Sequence, residues 1–224
     1  MDYISEISKT NLPFPPVPTP LAKRVFDIVV TLLILLLLWP LIFSIIVFML
    51  LEMLFIPSSK GPIFYSETRI SKGKPFKIFK FRIFNTSSAQ NYLAKHGFIQ
   101  TKALENEASN LTLTGKILKQ IYMDELPQIY NVLKGEMTLV GPRPSNEVVT
   151  WEDGKLGHFQ RYLFTAGLSG PFQAQKGIIN SSRQYELDME YIIFCKNNNS
   201  FKIIARDIKI LHDTIFIVFS AKGI

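Results

Sequence analysis

Residues 28–51 read IVVTLLILLLLWPLIFSIIVFMLL, twenty-four consecutive positions without a charged side chain. About 18 such residues are enough to suspect a membrane helix. A buried helix of a water-soluble domain is rarely apolar around its whole circumference for that length. The stretch is too long and too late for a cleaved signal peptide, and no small-residue cleavage site follows it. Membrane insertion is therefore the first expectation. Pro40 lies near the middle, where it removes a backbone donor and crowds the preceding turn, so a kink is expected there. At about 1.5 Å per residue each half reaches roughly 16–18 Å, close to half of the ~30 Å hydrocarbon core.

The flanks carry the next signal. Lys9, Lys23 and Arg24 precede the stretch, and Lys60, Arg69, Lys72, Lys74, Lys77, Lys80 and Arg82 follow it, against Glu67 alone. Positive charge on both sides obeys the positive-inside preference if the helix enters, breaks at Pro40 and returns. Composition alone leaves a tilted straight span open. Asp27 and Glu52 bracket the stretch: a local ion pair with Lys23 and Arg24 accounts for the first, and an ordinary interfacial charge for the second.

The remaining composition narrows the partners. A net charge of +7 over 224 residues favours an anionic ligand, be it lipid, phosphorylated metabolite or nucleic acid. Cys195 is the single cysteine, which excludes an internal disulfide and reads as structural. Three segments are expected: an extended Pro-rich leader over 1–20, a membrane helix over 21–56 and a catalytic domain over 57–224. The fold class expected is α+β, a kinked re-entrant helix joined to a small, mainly helical domain with a short β element. FKIFKFRI (76–83) partly alternates as a strand does, with Lys80 and Arg82 on one face and Phe79, Phe81 and Ile83 on the other. Residues 85–112 read as a surface excursion with a short helix near Ala103. A helix carrying Ile117, Leu118 and Ile121 on one side should precede Asp124, and another should run from Asp124 to Leu133 and stop at Gly135. Near the C-terminus Phe201, Ile204, Ile208, Leu211, Ile215 and Val218 recur at helical spacing and are expected to pack on the core, with a place in the membrane interface as the alternative.

Chemistry concentrates in MDELPQIYNVLKGEMTLVGPRP (123–144). Asp124 and Glu125 can serve as a helix N-cap and a dipole-matched neighbour. The same geometry suits phosphoryl transfer, with Asp124 attacking phosphorus and Glu125 ligating Mg²⁺. Prolines on both sides of Arg143 restrict the backbone that presents its guanidinium, a planar fork matched to diphosphate oxygens. His96, His158 and His212 are scattered, and no HExxH, CxxC, GxxxxGK or GxSxG pattern occurs. The Phe and Lys interleaving of 72–82 is better explained by a half-buried strand than by base stacking, so nucleic acid is not an expected partner.

These residues carry a resemblance. KRVFD (23–27), GPIFY (61–65), GKPFKIFKFR (73–82), the 123–144 block, AGLSGPFQ (166–173), LDMEY (187–191) and DIKIL (207–211) together resemble the bacterial sugar transferases, the monotopic polyprenyl-phosphate phosphoglycosyl transferases, over about nine-tenths of the chain. The resemblance implies that Asp124 is the nucleophile and Glu125 its Mg²⁺-associated partner, with phosphate-binding roles at Lys80, Arg82, Lys119 and Arg143. It further implies a UDP-sugar donor, a polyprenyl phosphate acceptor, membrane lipids as surroundings and a place on the cytoplasmic face of the bacterial inner membrane. Self-association as a homodimer is left open. Departures from the family pattern include Trp39 before Pro40, Glu67 for Gln, Ile83-Phe84 for Ser-Met, Lys119 for Arg, and Thr165-Ala166 where a cation and proline are usual. The competing expectation is a non-catalytic, membrane-anchored relative acting as a partner or scaffold.

Overall fold

The structure, a computed structural model, describes residues 12–96, 104 and 107–219. In chain order it contains α1 (Leu21–Phe55), β1 (Phe64–Ser71), β2 (Lys74–Phe81), α2 (Thr86–His96), α3 (Leu113–Gln120), α4 (Gln128–Lys134), β3 (Met137–Val140), α5 (Glu147–Lys155), α6 (Gln160–Leu163), β4 (Ala166–Ser169), α7 (Gln184–Asn197) and α8 (Ser200–Phe219). Helices thus accompany two small two-stranded sheets, β1–β2 and β3–β4. Two compact units are interleaved along the chain. One takes residues up to 33, 67–78 and those from 128 onward; the other takes 34–66 and 79–127.

Helix α1 is one element of 35 residues with Pro40 inside it. Ser44 Oγ donates to the Pro40 carbonyl at 2.8 Å. Only 11 % of its most apolar stretch is buried, and Leu36, Leu37, Trp39, Phe43, Phe48 and Leu54 are exposed. A core helix would hide such side chains, so this exposure calls for an apolar medium.

In the first unit, β3 pairs in parallel with β4 in the register Met137↔Ala166, Thr138↔Gly167 and Val140↔Ser169. All four residues of β3 are buried, as expected for a parallel strand covered on both faces. A Cβ on Gly141 would sit 2.4 Å from the Thr165 carbonyl, and one on Gly167 would sit 2.2 Å from the Gly141 nitrogen, so both sites admit only glycine. Phe76 and Ile78 of β2 join Leu139, Phe164, Ile192 and Ile203 in the core. The base of α1 belongs here through a fully buried polar network. Lys23 Nζ donates to Asp207 Oδ2 at 2.5 Å and lies 3.8 Å from Asp27 Oδ1, while Thr138 Oγ1 donates to Asp27 Oδ2 at 2.5 Å. The Tyr191 hydroxyl donates to Asp207 Oδ1 at 2.6 Å. Asp27 is therefore no mere local partner of Lys23 and Arg24. Arg24 instead donates to the carbonyls of Val132 and Leu133, at 2.5 and 2.7 Å, at the end of α4. Val132 O also accepts from Gly135 N at 3.0 Å, and the guanidinium adds a charged donor to the carbonyls that end α4, so it serves as a cap.

In the second unit, the face Ile42, Ile45, Ile46, Met49 and Met53 of α1 packs with Phe81, Ile83, Phe84, Leu111 and Leu118. Glu52 lies inside this assembly and corrects its reading as a simple interfacial charge. Its carboxylate accepts from Leu113 N at 2.7 Å, Thr114 N at 2.9 Å, Thr114 Oγ1 at 2.5 Å and Ser59 Oγ at 2.8 Å. These are the free donors that open α3, where negative charge is favoured.

Three further expectations are corrected. Strand β2 ends at Phe81, so Arg82 is not a strand residue paired with Lys80. The excursion after residue 85 begins with α2, and Leu104 is helical, in keeping with the short helix expected near Ala103; Ala103 itself lies outside the described residues, as do 1–11 of the leader. On α3 Gly115 and Leu118 are buried, whereas Ile117 is exposed, as is Ile121 just beyond the helix. On α8 the buried line is Ile203, Asp207, Ile210 and Ile217, whereas Phe201, Ile208 and Ile215 are exposed. A buried Asp satisfied by Lys23 and Tyr191 rotates the packed face away from the most apolar one.

Candidate active site

Asp124 lies in a 3₁₀ turn, Met123–Glu125, that closes through Leu126 N to Met123 O at 3.3 Å. Helix α4 starts only at Gln128, so the expected helix opening on Asp124 is corrected. Pro127 supplies no N–H, and helical hydrogen bonding is established beyond it. Tyr122, two residues before Asp124, is left-handed at φ 56° and ψ 21°. A non-glycine residue there carries strain of roughly 1–2 kcal/mol, which only over-determined surroundings sustain. Asp124 is buried at 8 % exposure, while Glu125 is half-buried.

The second unit brings Lys80, from the end of β2, to the acidic pair. Its Nζ donates to Glu125 Oε1 at 3.1 Å, with 17 % of each side chain exposed. Partial burial shields the pair from solvent screening, so it holds better than a surface ion pair. Lys119 is in the last turn of α3, half-buried, five residues before Asp124. Arg82 behaves differently. It is 3 % exposed, and its Nε, Nη1 and Nη2 donate to the carbonyls of Pro62, Phe84 and Ser59 at 2.7, 2.6 and 2.6 Å. Those donors are committed to backbone, so Arg82 clamps the chain that carries Lys80.

Arg143 belongs to the first unit, exposed in the turn after β3. The turn is stitched through its backbone. Gly141 N donates to Ser169 O, Gly167 N to Pro142 O and Ile70 N to Ser145 O, each at 2.9 Å. Arg161 Nε donates to the Arg143 carbonyl at 2.9 Å, and its Nη1 pairs with Asp153. Thr165 meets the Thr19 hydroxyl at 3.2 Å. Glu52 and Arg161 show no clear local sequence signal: Leu113 and Arg143, which they meet, lie 61 and 18 positions away. Cys195 is buried, and burial pushes its thiol up to about 11, which leaves it unreactive at neutral pH.

Whether these residues suit Mg²⁺ is a question of donor chemistry. The ion takes hard oxygens, keeps several waters and is completed by substrate phosphates. Consecutive carboxylates at 124 and 125 fit that demand. Among the described residues no group of three or more His, Cys, Asp or Glu forms a cage.

The sequence pattern of the bacterial sugar transferases matches residues 19–221. The chain belongs to this family. It is 29 % identical over 204 residues to the UDP-N-acetylgalactosamine-undecaprenyl-phosphate N-acetylgalactosaminephosphotransferase of Aeromonas hydrophila, covering 90 % of this chain and 44 % of that protein. It is 33 % identical over 181 residues to the UDP-glucose:undecaprenyl-phosphate glucose-1-phosphate transferase of Escherichia coli K12, covering 77 % and 36 %. Against the exopolysaccharide production protein ExoY of Rhizobium meliloti it is 29 % identical over 184 residues, 77 % of each. This sugar transferase family member thus spans less than half the length of the first two relatives.

Proposed function

We propose that this chain transfers a sugar 1-phosphate from a UDP-sugar to polyprenyl phosphate and releases UMP, at the cytoplasmic face of the inner membrane. The observation that carries the reading is a buried Asp124 beside a Glu125 already engaged by Lys80, in a family member whose relatives are named for this reaction. Asp124 Oδ attacks the sugar-bearing phosphorus, an O–P bond forms to the carboxylate, and the bond to the UMP phosphate breaks. An oxygen of polyprenyl phosphate then attacks the same phosphorus and frees Asp124, leaving a polyprenyl diphosphate sugar. Two steps let one pocket meet a water-borne donor and a lipid-borne acceptor in turn. Lys80, Lys119 and Arg143 neutralise phosphate oxygens, since in-line phosphoryl transfer depends mainly on positioning and charge. Glu125 would hold Mg²⁺, which when bound offsets the diphosphate charge. Arg82 is assigned to holding Lys80 in place.

The re-entrant reading of α1 draws support from the positive charge that flanks its apolar stretch on both sides. Among the described residues α1 alone is long and apolar enough to cross a bilayer.

Purified full chain in nanodiscs, supplied with Mg²⁺, undecaprenyl phosphate and a panel of UDP-sugars, should release UMP, and Asp124→Asn should lower the rate by at least a thousandfold. Release undiminished in the Asn variant removes Asp124 as nucleophile. Silence across the panel from a folded, inserted chain favours the scaffold reading.

A further inference from the structure

We propose that Arg161 is a positioning residue that acts through Arg143, fixing the peptide from which the phosphate-binding guanidinium projects; this rests on the reading of Arg143 given above. Every backbone group that anchors the 141–145 turn is met from a neighbouring strand except one. Gly141 N and Pro142 O are held by β4, and Ser145 O by β1. The carbonyl of Arg143 is met instead by a side chain, Arg161 Nε at 2.9 Å. Pro142 and Pro144 supply no N–H, so the turn has few other donors with which to define the orientation of this peptide.

Arg161 is itself held on several sides. Its backbone carbonyl accepts from Gly73 N at 2.9 Å, its Nη1 pairs with Asp153, and it is only 8 % exposed. Asp188 on α7 is fully buried nearby, with neither carboxylate oxygen in a well-formed hydrogen bond. Arg161 is a source of compensating positive charge for it. The guanidinium thus joins α5 through Asp153 and the 141–145 turn through Arg143, the backbone carbonyl of the same residue holds the β1–β2 turn through Gly73, and the charge reaches α7. The fork geometry matters: a lysine at this place could keep the charge but could not hold the Asp153 carboxylate and the Arg143 carbonyl from one rigid plane. Loss of the Nε contact frees the peptide after Arg143 to rotate, and the side chain then spends only part of its time where a diphosphate would meet it.

The test is a double-mutant cycle on the full chain in nanodiscs, with UDP and Mg²⁺ as the titrated probe and melting temperature as the control for folding. Arg143→Ala should weaken UDP binding about tenfold, and Arg161→Lys about three- to tenfold with a near-normal melting temperature. The double variant should bind no worse than Arg143→Ala alone, because Arg161 acts only through that side chain. In turnover with whichever UDP-sugar supports UMP release, Arg161→Lys should raise KM more than it lowers kcat. If Arg161→Lys does not fold, Asp153→Asn, which loosens the same guanidinium from its far side, should show a smaller loss that also vanishes in the Arg143→Ala background. Losses that multiply in the double variant, or unchanged UDP affinity in Arg161→Lys, overturn the inference. Unchanged affinity in Arg143→Ala overturns the phosphate-binding reading itself and the inference with it.

Discussion

Asp188 shows how a single side chain carries information that a sequence hides. It lies in LDMEY, a motif recognisable at a glance, yet nothing in that string says that its carboxylate is wholly enclosed without a satisfactory donor. Burial raises its pKa to about 7, with the charge of Arg161 and the nearby Gln184 amide opposing the shift. A raised carboxylate pKa makes ionisation a cost to the folded state, one absent below the unfolded pKa near 4 and fully present above 7. Asp188→Asn should therefore melt higher than the native chain at pH 8, and the gap should shrink toward pH 5; a gap that widens on acidification contradicts this. Lys23 gives the opposite case. It is buried between Asp27 and Asp207, and Lys23→Met should cost about 3–5 kcal/mol by stranding two buried carboxylates, read as a denaturant midpoint shift. Asp124 and Glu125 stood out in the dense string 123–144 and Lys80 in the basic stretch 73–82, but the contact of Lys80 with Glu125, 45 positions apart, left no local trace. Roles for Glu52, Arg82 and Arg161 were not legible either, since each is defined by partners distant in the chain or by carbonyls that every residue possesses.

At the scale of elements, hydrophobic periodicity located α1, α3 and α8 well but misjudged their faces. Helix α8 buries the line through Asp207 and leaves Phe201, Ile208 and Ile215 exposed, because a satisfied buried polar group outweighs one step of apolar pattern. The hairpin β1–β2 turns on Lys72 and Gly73, at φ 49° and 71°, a two-residue turn whose signal is weak when a lysine occupies its first place. Helix α3 offers a cap to test. The Thr112 side chain accepts from Gly115 N at 2.9 Å while Glu52 takes the Leu113 and Thr114 donors. Thr112→Ala should cost about 1 kcal/mol, and Glu52→Ala more, since both α1 and α3 lose a partner; melting of each variant in detergent would show it. Equal, negligible losses would mean that α3 is held by packing alone.

Across the whole molecule, topology and assembly order meet. Cysteines placed near positions 20 and 60, in a chain with Cys195 replaced by serine, should both label from the cytoplasmic side; labelling from opposite sides refutes the returning helix. The α+β class and the long apolar helix could be read from composition and spacing, but the interleaving of two units could not, because long-range pairing leaves no local trace. That interleaving also has a timetable. Lys23 must wait for Asp207, 184 positions later, and at a synthesis rate of roughly 5–20 residues per second the delay is about 10–40 s. During it the nascent helix can already sit in lipid while its base still lacks the counter-charge that will seat it. Ribosome stalling or truncation before α8 therefore strands an inserted but unlatched chain, which makes the last helix a quality checkpoint for everything synthesised before it.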